Sequence, residues 1–302
     1  MITIRGLTKK YGNLVAVNNV DLEIRAGEVF SILGPNGAGK TTTVEILECI
    51  RKATSGEIEI LGHDLMTGSK EIRRQIGVLP QEFNAFDLLT VRENIKFFAG
   101  MYDRRADVDE LISLVDLEDK RDVCFKNLSG GLKQRVGIAI SMVNDPRIVF
   151  LDEPTTGLDP GARREVWEVI RGLRAKGRTI ILTTHYMEEA EVLSDRLAIM
   201  NNGKFIALGS PSEVIEDHGG GQICTILGGG LAAMHSLKDM GAELKDNDVM
   251  IQIRDKGDLV RIVTSLDHND ISYDEIILRR PSLEDVFLKL TGHTIEGGEL
   301  ID

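Results

Sequence analysis

The chain lacks the stretches that would tie it to a membrane or to an oxidising compartment. No run approaches the roughly 20 apolar residues that a membrane-spanning helix needs. The opening MITIRGLTKKYG has no apolar core of the kind a secretory leader carries. If the protein works at a membrane, another chain is expected to supply the spanning part. Its three cysteines, Cys49, Cys124 and Cys224, show no Cys-x-x-Cys spacing, and free buried thiols in a reducing cytoplasm are the expectation. Positive charge is also short. Lys and Arg number 36 against 48 Asp and Glu, a net charge of −12, which argues against non-specific nucleic-acid binding while leaving room for a local basic patch. Internal repeats, low-complexity segments and heptad runs are missing as well.

What remains is an ordinary globular composition, 42% hydrophobic and 28% charged, over 302 residues. That length suits one large domain or two modest ones. Ile2 and Ile4, then Val20, Leu22 and Ile24, alternate as in strands on either side of a turn at Tyr11-Gly12-Asn13. EVFSIL (28–33) is nearly all apolar, the mark of a strand buried on both faces. A glycine-rich loop and a helical stretch follow, then the alternating strand GEIEILG (56–62). Between about 83 and 145 the apolar residues fall at helical spacing, in VRENIKFFAGMY, ADVDELISLVDL and VGIAISMV. From 147 the order is strand, helix, strand (RIVFLD, ARREVWEVIRGLRAKG, RTIILTTH), which argues for βαβ units and a parallel sheet. DRLAIMNNGKFIALG (195–209) reads as a hairpin turned at Asn202-Gly203. A glycine-rich boundary (218–221) divides residues 1–216 from 217–302. The second part reads as strand 222–227, helix 231–240, hairpin strands around Asn247, helix 257–267, strand 271–279 and helix 282–290, a small α+β module.

GPNGAGKT (34–41) fits G-x-x-x-x-G-K-[ST]. Its glycines let backbone N–H groups turn inward around phosphate oxygens, and the helix that follows adds positive potential. Lys40 is expected to reach the β- and γ-phosphates, and the Thr41 hydroxyl to ligate Mg²⁺. IVFLDE (148–153) carries Asp152 to the carboxyl end of a strand, where an open α/β sheet places ligands. Asp152 is expected to hold Mg²⁺ through water, and Glu153 has the place of a general base. LSGGLKQR (128–135) has two readings on its own: an N-cap serine with turn glycines, or an anion site at a helix N-terminus.

The set in order, over about residues 2–215, resembles the ATP-binding subunit of the ATP-binding cassette (ABC) transporter family: GPNGAGKT, Gln81 in VLPQ, LSGG at 128–131, Asp152-Glu153, GLDP at 157–160 and His185 closing LTTH. The resemblance implies an α/β fold, with a P-loop NTPase core, a helical subdomain at about 83–145, an N-terminal antiparallel β subdomain and the C-terminal module. It implies a nucleotide site of Tyr11, Gly34, Asn36, Gly37, Ala38, Gly39, Lys40, Thr41 and Thr42, with Tyr11 stacked on adenine. Catalysis would fall to Glu153, His185 and Gln81, and Mg²⁺ to Thr41, Gln81 and Asp152. Ser129, Gly130 and Gly131 would complete the site of a second ATP-binding subunit in a head-to-tail dimer, with Asp159 at the seam. Leu132 departs from the Gln common at the fifth signature position, which removes a polar side chain there.

The resemblance further implies a separate membrane permease as partner and a place at the cytoplasmic face of the cell membrane; no nucleic acid is expected. Phe97, Phe98 and Tyr102 are expected to fill the helical subdomain's core, while Phe83, Phe86, Leu88 and Leu89 would line a groove for the permease. RRPSLEDVFLKLTG (279–292) resembles the ending of drug-export subunits of the daunorubicin-resistance type; Leu283, Val286, Phe287 and Leu290 make one apolar stripe, expected to pack on the module's own sheet. The reading is an ATPase that powers export of a drug, lipid or other small molecule. The alternatives are a soluble ABC ATPase acting on ribosomes or DNA, and a nucleotide-gated regulator; one cassette without a coiled-coil insertion weighs against the first, and Glu153 with His185 against the second.

Overall fold

Alternating burial sets the first sheet. In the computed structural model, which describes all residues except 104, 254, 293, 297, 298 and 302, β1 (Ile2–Tyr11) and β2 (Leu14–Ile24) pair antiparallel across Gly12-Asn13. β3 (Val29–Leu33) is buried at every residue and leads into α1 (Lys40–Leu47). β4 (Ser55–Ile60) and the short β5 (His63–Asp64) complete an antiparallel sheet of order β2-β1-β4-β5. α2 (Ser69–Arg73) and β6 (Ile76–Leu79) precede three helices, α3 (Val91–Ala99), α4 (Val108–Leu114) and α5 (Gly130–Ser141). The chain then alternates through β7 (Ile148–Asp152), α6 (Pro160–Ala175), β8 (Thr179–Thr184), α7 (Met187–Leu193), β9 (Arg196–Asn201) and β10 (Lys204–Gly209).

The central sheet has the order β10-β9-β3-β8-β7-β6 and is parallel apart from β10. The β9–β10 turn has positive φ at both Asn202 and Gly203, as a two-residue hairpin requires. Its inner strands are covered on both faces, so their period-two alternation feeds two cores rather than a core and a surface. Val149 and Leu151 of β7 join the cluster under the helices, while Ile148 and Phe150 join the one under the antiparallel sheet and α1.

The helical segment departs from its expected packing. The inward stripe of α3 is Val91, Ile95 and Ala99, and Phe97 and Tyr102 stay 46% and 41% exposed. Phe97 instead meets Phe86 edge-on at 4.8 Å, with Phe98 between this pair and the core. Phe83, expected in a surface groove, turns inward: it packs edge-on against buried Phe125 at 6.1 Å, over Gly137, where an added Cβ would meet its ring at 2.8 Å. Spacing alone placed Phe97 wrongly because α3 buries its i, i+4, i+8 stripe against α5, leaving its two adjacent phenylalanines to divide between core and surface.

The chain divides into two compact units, Met1–Pro211 and Ser212–Gly292. α8 (Pro211–Gly219) runs through the boundary that the sequence placed at 216. The second unit continues with β11 (Gln222–Leu227), α9 (Gly230–Ser236), β12 (Glu243–Lys245), β13 (Asp248–Ile253), α10 (Lys256–His268), β14 (Glu275–Arg279) and α11 (Leu283–Thr291). Its four strands form an antiparallel sheet of order β12-β13-β11-β14, a split βαβ arrangement. The strand expected from 271 begins at Glu275, because Ile271 is spent packing against the unit's core and Asp274 closes onto the Leu227 carbonyl. α11 opens on a Ser282–Asp285 capping box and buries Leu283, Val286 and Phe287.

One acid lies under the first unit's site. Glu48, which caps the C-terminus of α1, is 6% exposed. Burial, aided by the charges of Asp152 and Glu45, pushes its carboxyl from the ordinary 4.5 up to about 7. Between those values the folded chain holds a proton that the unfolded chain has lost, so stability falls as pH rises through that window, by about 3 kcal/mol in all. Glu48→Gln is therefore expected to raise the melting temperature of the cassette at pH 8 and to leave it near wild type at pH 5. Equal gains at both pH values in thermal unfolding would refute this.

Candidate functional site

The site starts from a loop that only glycine can build. Gly37 and Gly39 have φ of 76° and 106°, where a side chain is strained. A Cβ on Gly39 would also meet the Ala16 carbonyl at 2.3 Å, and one on Gly34 the Met200 carbonyl at the same distance. Gly34 thus lies against β9, and residues 35–42 wrap outward into a cleft of about 630 Å³. Asn36, Gly37, Ala38, Gly39, Lys40, Thr41 and Thr42 form one wall. The Lys40 ammonium is buried and donates to the carbonyls of Gly34 (2.6 Å) and Pro35 (3.1 Å), which holds it at the centre of the loop. Burial lowers its pKa, and the charges of Glu153 and Asp152 push it back up. Tyr11 lies at the rim, 38% exposed, with the Lys9 ammonium 4.9 Å and the Arg51 guanidinium 5.6 Å from its ring.

The facing wall is made by Gln81, Glu153, Thr156 and His185. Glu153 sits just past β7 with φ of 48°, a left-handed backbone that is rare for a branched-free acid and marks a fixed turn. Its N–H is held by the carbonyl (3.0 Å) and hydroxyl (3.1 Å) of Thr183. Three groups converge on its Oε2: Gln81 Nε2 at 3.0 Å, Thr156 Oγ1 at 3.1 Å and His185 Nδ1 at 3.2 Å. The hydrogen bond from His185 chiefly, with Thr156 and the Lys40 charge, holds this carboxyl below its usual range against its burial. Asp152 stands behind it and accepts from the Thr183 hydroxyl. Burial raises its pKa, the Thr183 bond lowers it, and the neighbouring Glu153 charge raises it again.

Mg²⁺ is judged by this donor set. Two carboxylates in adjacent positions, with Asp152 destabilised as an anion by burial and by Glu153, make a site with negative charge to be neutralised. Thr41, Gln81 and Asp152 offer only oxygen ligands once the Gln81 nitrogen is committed to Glu153. A single carboxylate with a hydroxyl suits an ion that completes its shell with water and substrate phosphates. The residues fit.

The signature lies elsewhere. Ser129 caps α5 and accepts from Leu132 N at 3.4 Å, and neither it nor the two glycines lines the cleft. Ser129 and Gly130 are exposed, whereas Gly131 is buried where a Cβ would meet that of Ala162 at 2.8 Å. Leu132 packs against the helical core, so the apolar residue at this position has a structural use. Asp159 caps α6, accepting from Gly161 N (3.0 Å) and Ala162 N (2.9 Å). Sequence reasoning missed Thr156 and Thr183. The two threonines before His185 in LTTH were the available signal for Thr183; Thr156 had none, since only the turn after Glu153 aims it back.

Comparison with known proteins fits this geometry. The ABC transporter family model matches residues 17–156. The daunorubicin resistance ATP-binding protein DrrA3 of Streptomyces coeruleorubidus is 37% identical, covering 96% of both chains. The Nod factor export ATP-binding protein I of Rhizobium sp. (strain N33) is 39% identical, covering 98% of both. Among solved structures, the dimeric ATP-binding cassette MJ0796, in a post-hydrolysis state bound to ADP and Pi, superposes with a TM-score of 0.62 at 30% identity over 70% of this chain and 98% of that one. CbiO1 from Clostridium perfringens, part of the ABC transporter complex cbiONQ, gives a TM-score of 0.65 at 29% identity over 72% of this chain and 90% of that one. A phosphate loop facing a held glutamate in one cleft, and relatives matched along nearly the whole length, place the chain in the ABC transporter family, as an ATP-hydrolysing nucleotide-binding subunit.

Proposed function

We propose that the chain binds ATP with Mg²⁺ in this cleft, hydrolyses it in a head-to-tail dimer, and so powers a separate membrane permease that exports a small molecule. The convergence of Gln81, Thr156 and His185 on one oxygen of Glu153, opposite the phosphate loop, carries the reading. Tyr11 stacks on the adenine, and the loop N–H groups with Lys40 take the phosphates. Thr41, Gln81 and Asp152 hold Mg²⁺, which when bound supplies charge neutralisation at the phosphates. With Oε2 occupied by three donors, Glu153 Oε1 is left to accept from the attacking water. Its lowered pKa keeps it ionised, so it orients and polarises that water rather than acting as a strong base. His185, which lines the same cleft, is assigned to the γ-phosphate.

Ser129, Gly130 and Gly131 do not line the cleft of their own chain, which supports their use on a partner's nucleotide, and the relative captured as a dimer supports the same assembly. Export, and a drug or lipid-like cargo, is supported by relatives named for daunorubicin resistance and Nod factor export. No described helix is long and apolar enough to cross a membrane; the reading assigns the permease to a different chain and the subunit to the inner face of the cell membrane. Phe86 (47% exposed), Leu88 (74%) and Phe97 form the apolar surface offered to it, next to Gln81 in the chain; Phe83 is removed from that surface.

Glu153→Gln is expected to keep ATP binding, to lose turnover by at least about 100-fold and to accumulate the nucleotide-bound dimer; wild-type steady-state phosphate release would refute the role of Glu153. Lys40→Ala should weaken ATP binding itself, and an unchanged affinity in a titration would count against the loop assignment. Phe86→Asp is expected to spare hydrolysis by the isolated chain while reducing ATP-driven transport with the permease. Transport at the wild-type rate would remove the docking surface from this model.

A further inference from the structure

Behind the cleft wall lies a carboxylate that none of these roles uses. Glu189, on α7, is fully buried. Its Oε1 accepts from the Thr155 hydroxyl at 2.7 Å and from the indole N–H of Trp167 at 2.9 Å. Its Oε2 is buried without a hydrogen-bond partner among the described residues. Burial pushes the acid up, and the Thr155 hydroxyl, the Trp167 indole and the Arg163 charge pull it down. Its two donors are buried with it, Thr155 at 0% and Trp167 at 5% exposure.

Glu189 and its partner Thr155 flank the catalytic pair. Thr155 is two residues past Glu153, and Glu189 itself lies four residues past His185. Trp167 stands on α6, the helix whose N-terminus is capped by Asp159. A second link runs alongside: the Arg163 guanidinium of α6 lies 4.0 Å over the Tyr186 ring, and that ring stands 4.2 Å from the His185 imidazole. One helix therefore grips both the Glu153 turn and the His185 strand end. A buried acid with an orphaned oxygen is a poor source of stability, since an apolar side chain of similar volume would pack there without the desolvation cost. What the carboxylate provides in its place is a fixed distance between three backbone segments.

We infer that Glu189 is a positioning residue: it sets the separation of Glu153 and His185 and makes that separation follow the position of α6. The inference rests on the assignment of Glu153 and His185 to hydrolysis. Displacement of a reacting group by about 1 Å can cost on the order of 100-fold in rate, so loss of the tie should be read in kcat.

The test uses the full chain, with ATP affinity, KM and kcat measured for Glu189→Leu, Glu189→Gln and Trp167→Phe. Glu189→Leu is expected to lower kcat at least about 10-fold with ATP affinity near wild type. Glu189→Gln, which keeps the Oε1 acceptor, should recover most of that loss. Trp167→Phe, which removes only the indole donor, should lower kcat in a way that is not additive with Glu189→Leu. Wild-type kcat in Glu189→Leu, a loss that disappears after scaling to ATP-binding protein, or a Gln variant no better than Leu would each overturn the inference. Should Glu189→Leu fail to fold, wild-type kcat in Trp167→Phe overturns it instead. Wild-type turnover in Glu153→Gln would remove the underlying assignment, and is distinguishable because it does not involve Glu189.

Discussion

The site depends on the parallel register of three adjacent strands. Leu33 at the end of β3 lies opposite Thr184 of β8, and Thr183 lies opposite Asp152 of β7. This fixes the phosphate loop, the acidic pair and His185 along one edge of one sheet. The loops leaving these strands have no choice but to meet, and the carboxyl edge of an open parallel sheet becomes the ligand cleft. The strands can hold this register because each buries both faces, so a slip of one residue would exchange the side chains of two cores.

Electrostatics then divides the labour at that edge. Lys40, Asp152, Glu153 and Glu48 are brought together under limited solvation, and their pKa values move in different directions for separate reasons. Glu153 is held ionised by donors, chiefly His185. Asp152 is kept uneasy as an anion by burial and by its neighbour, which favours a cation beside it. Glu48 has no compensating donor among the described residues and, with its carboxyl pushed up to about 7, retains its proton near neutrality. Three acids within a short reach of each other thus differ in character because their hydrogen bonds differ, not because their residue types do.

α6 joins the two surfaces of the cassette. Its N-terminus, capped by Asp159 and packed against Gly131 of α5, faces outward, while Trp167 donates to Glu189 of α7 and Arg163 lies over Tyr186, beside His185. The second unit, Ser212–Gly292, has its own sheet and core.

The sequence by itself determined the local parts. Glycines at 37 and 39, the run IVFLDE, the N-cap at Ser129 and the hairpin at Asn202-Gly203 each encode a backbone conformation or a burial pattern within a few residues, and those were legible in the chain. Only the tertiary structure decided which groups share an atom. That Gln81, Thr156 and His185 meet on Glu153 Oε2, that Phe83 rather than Phe97 enters the core, and that Glu189 ties Thr155 to Trp167 all depend on contacts between residues distant in sequence. Local pattern carries no record of such contacts, because spacing along a helix or strand fixes which face a side chain occupies, and packing between elements fixes what that face touches.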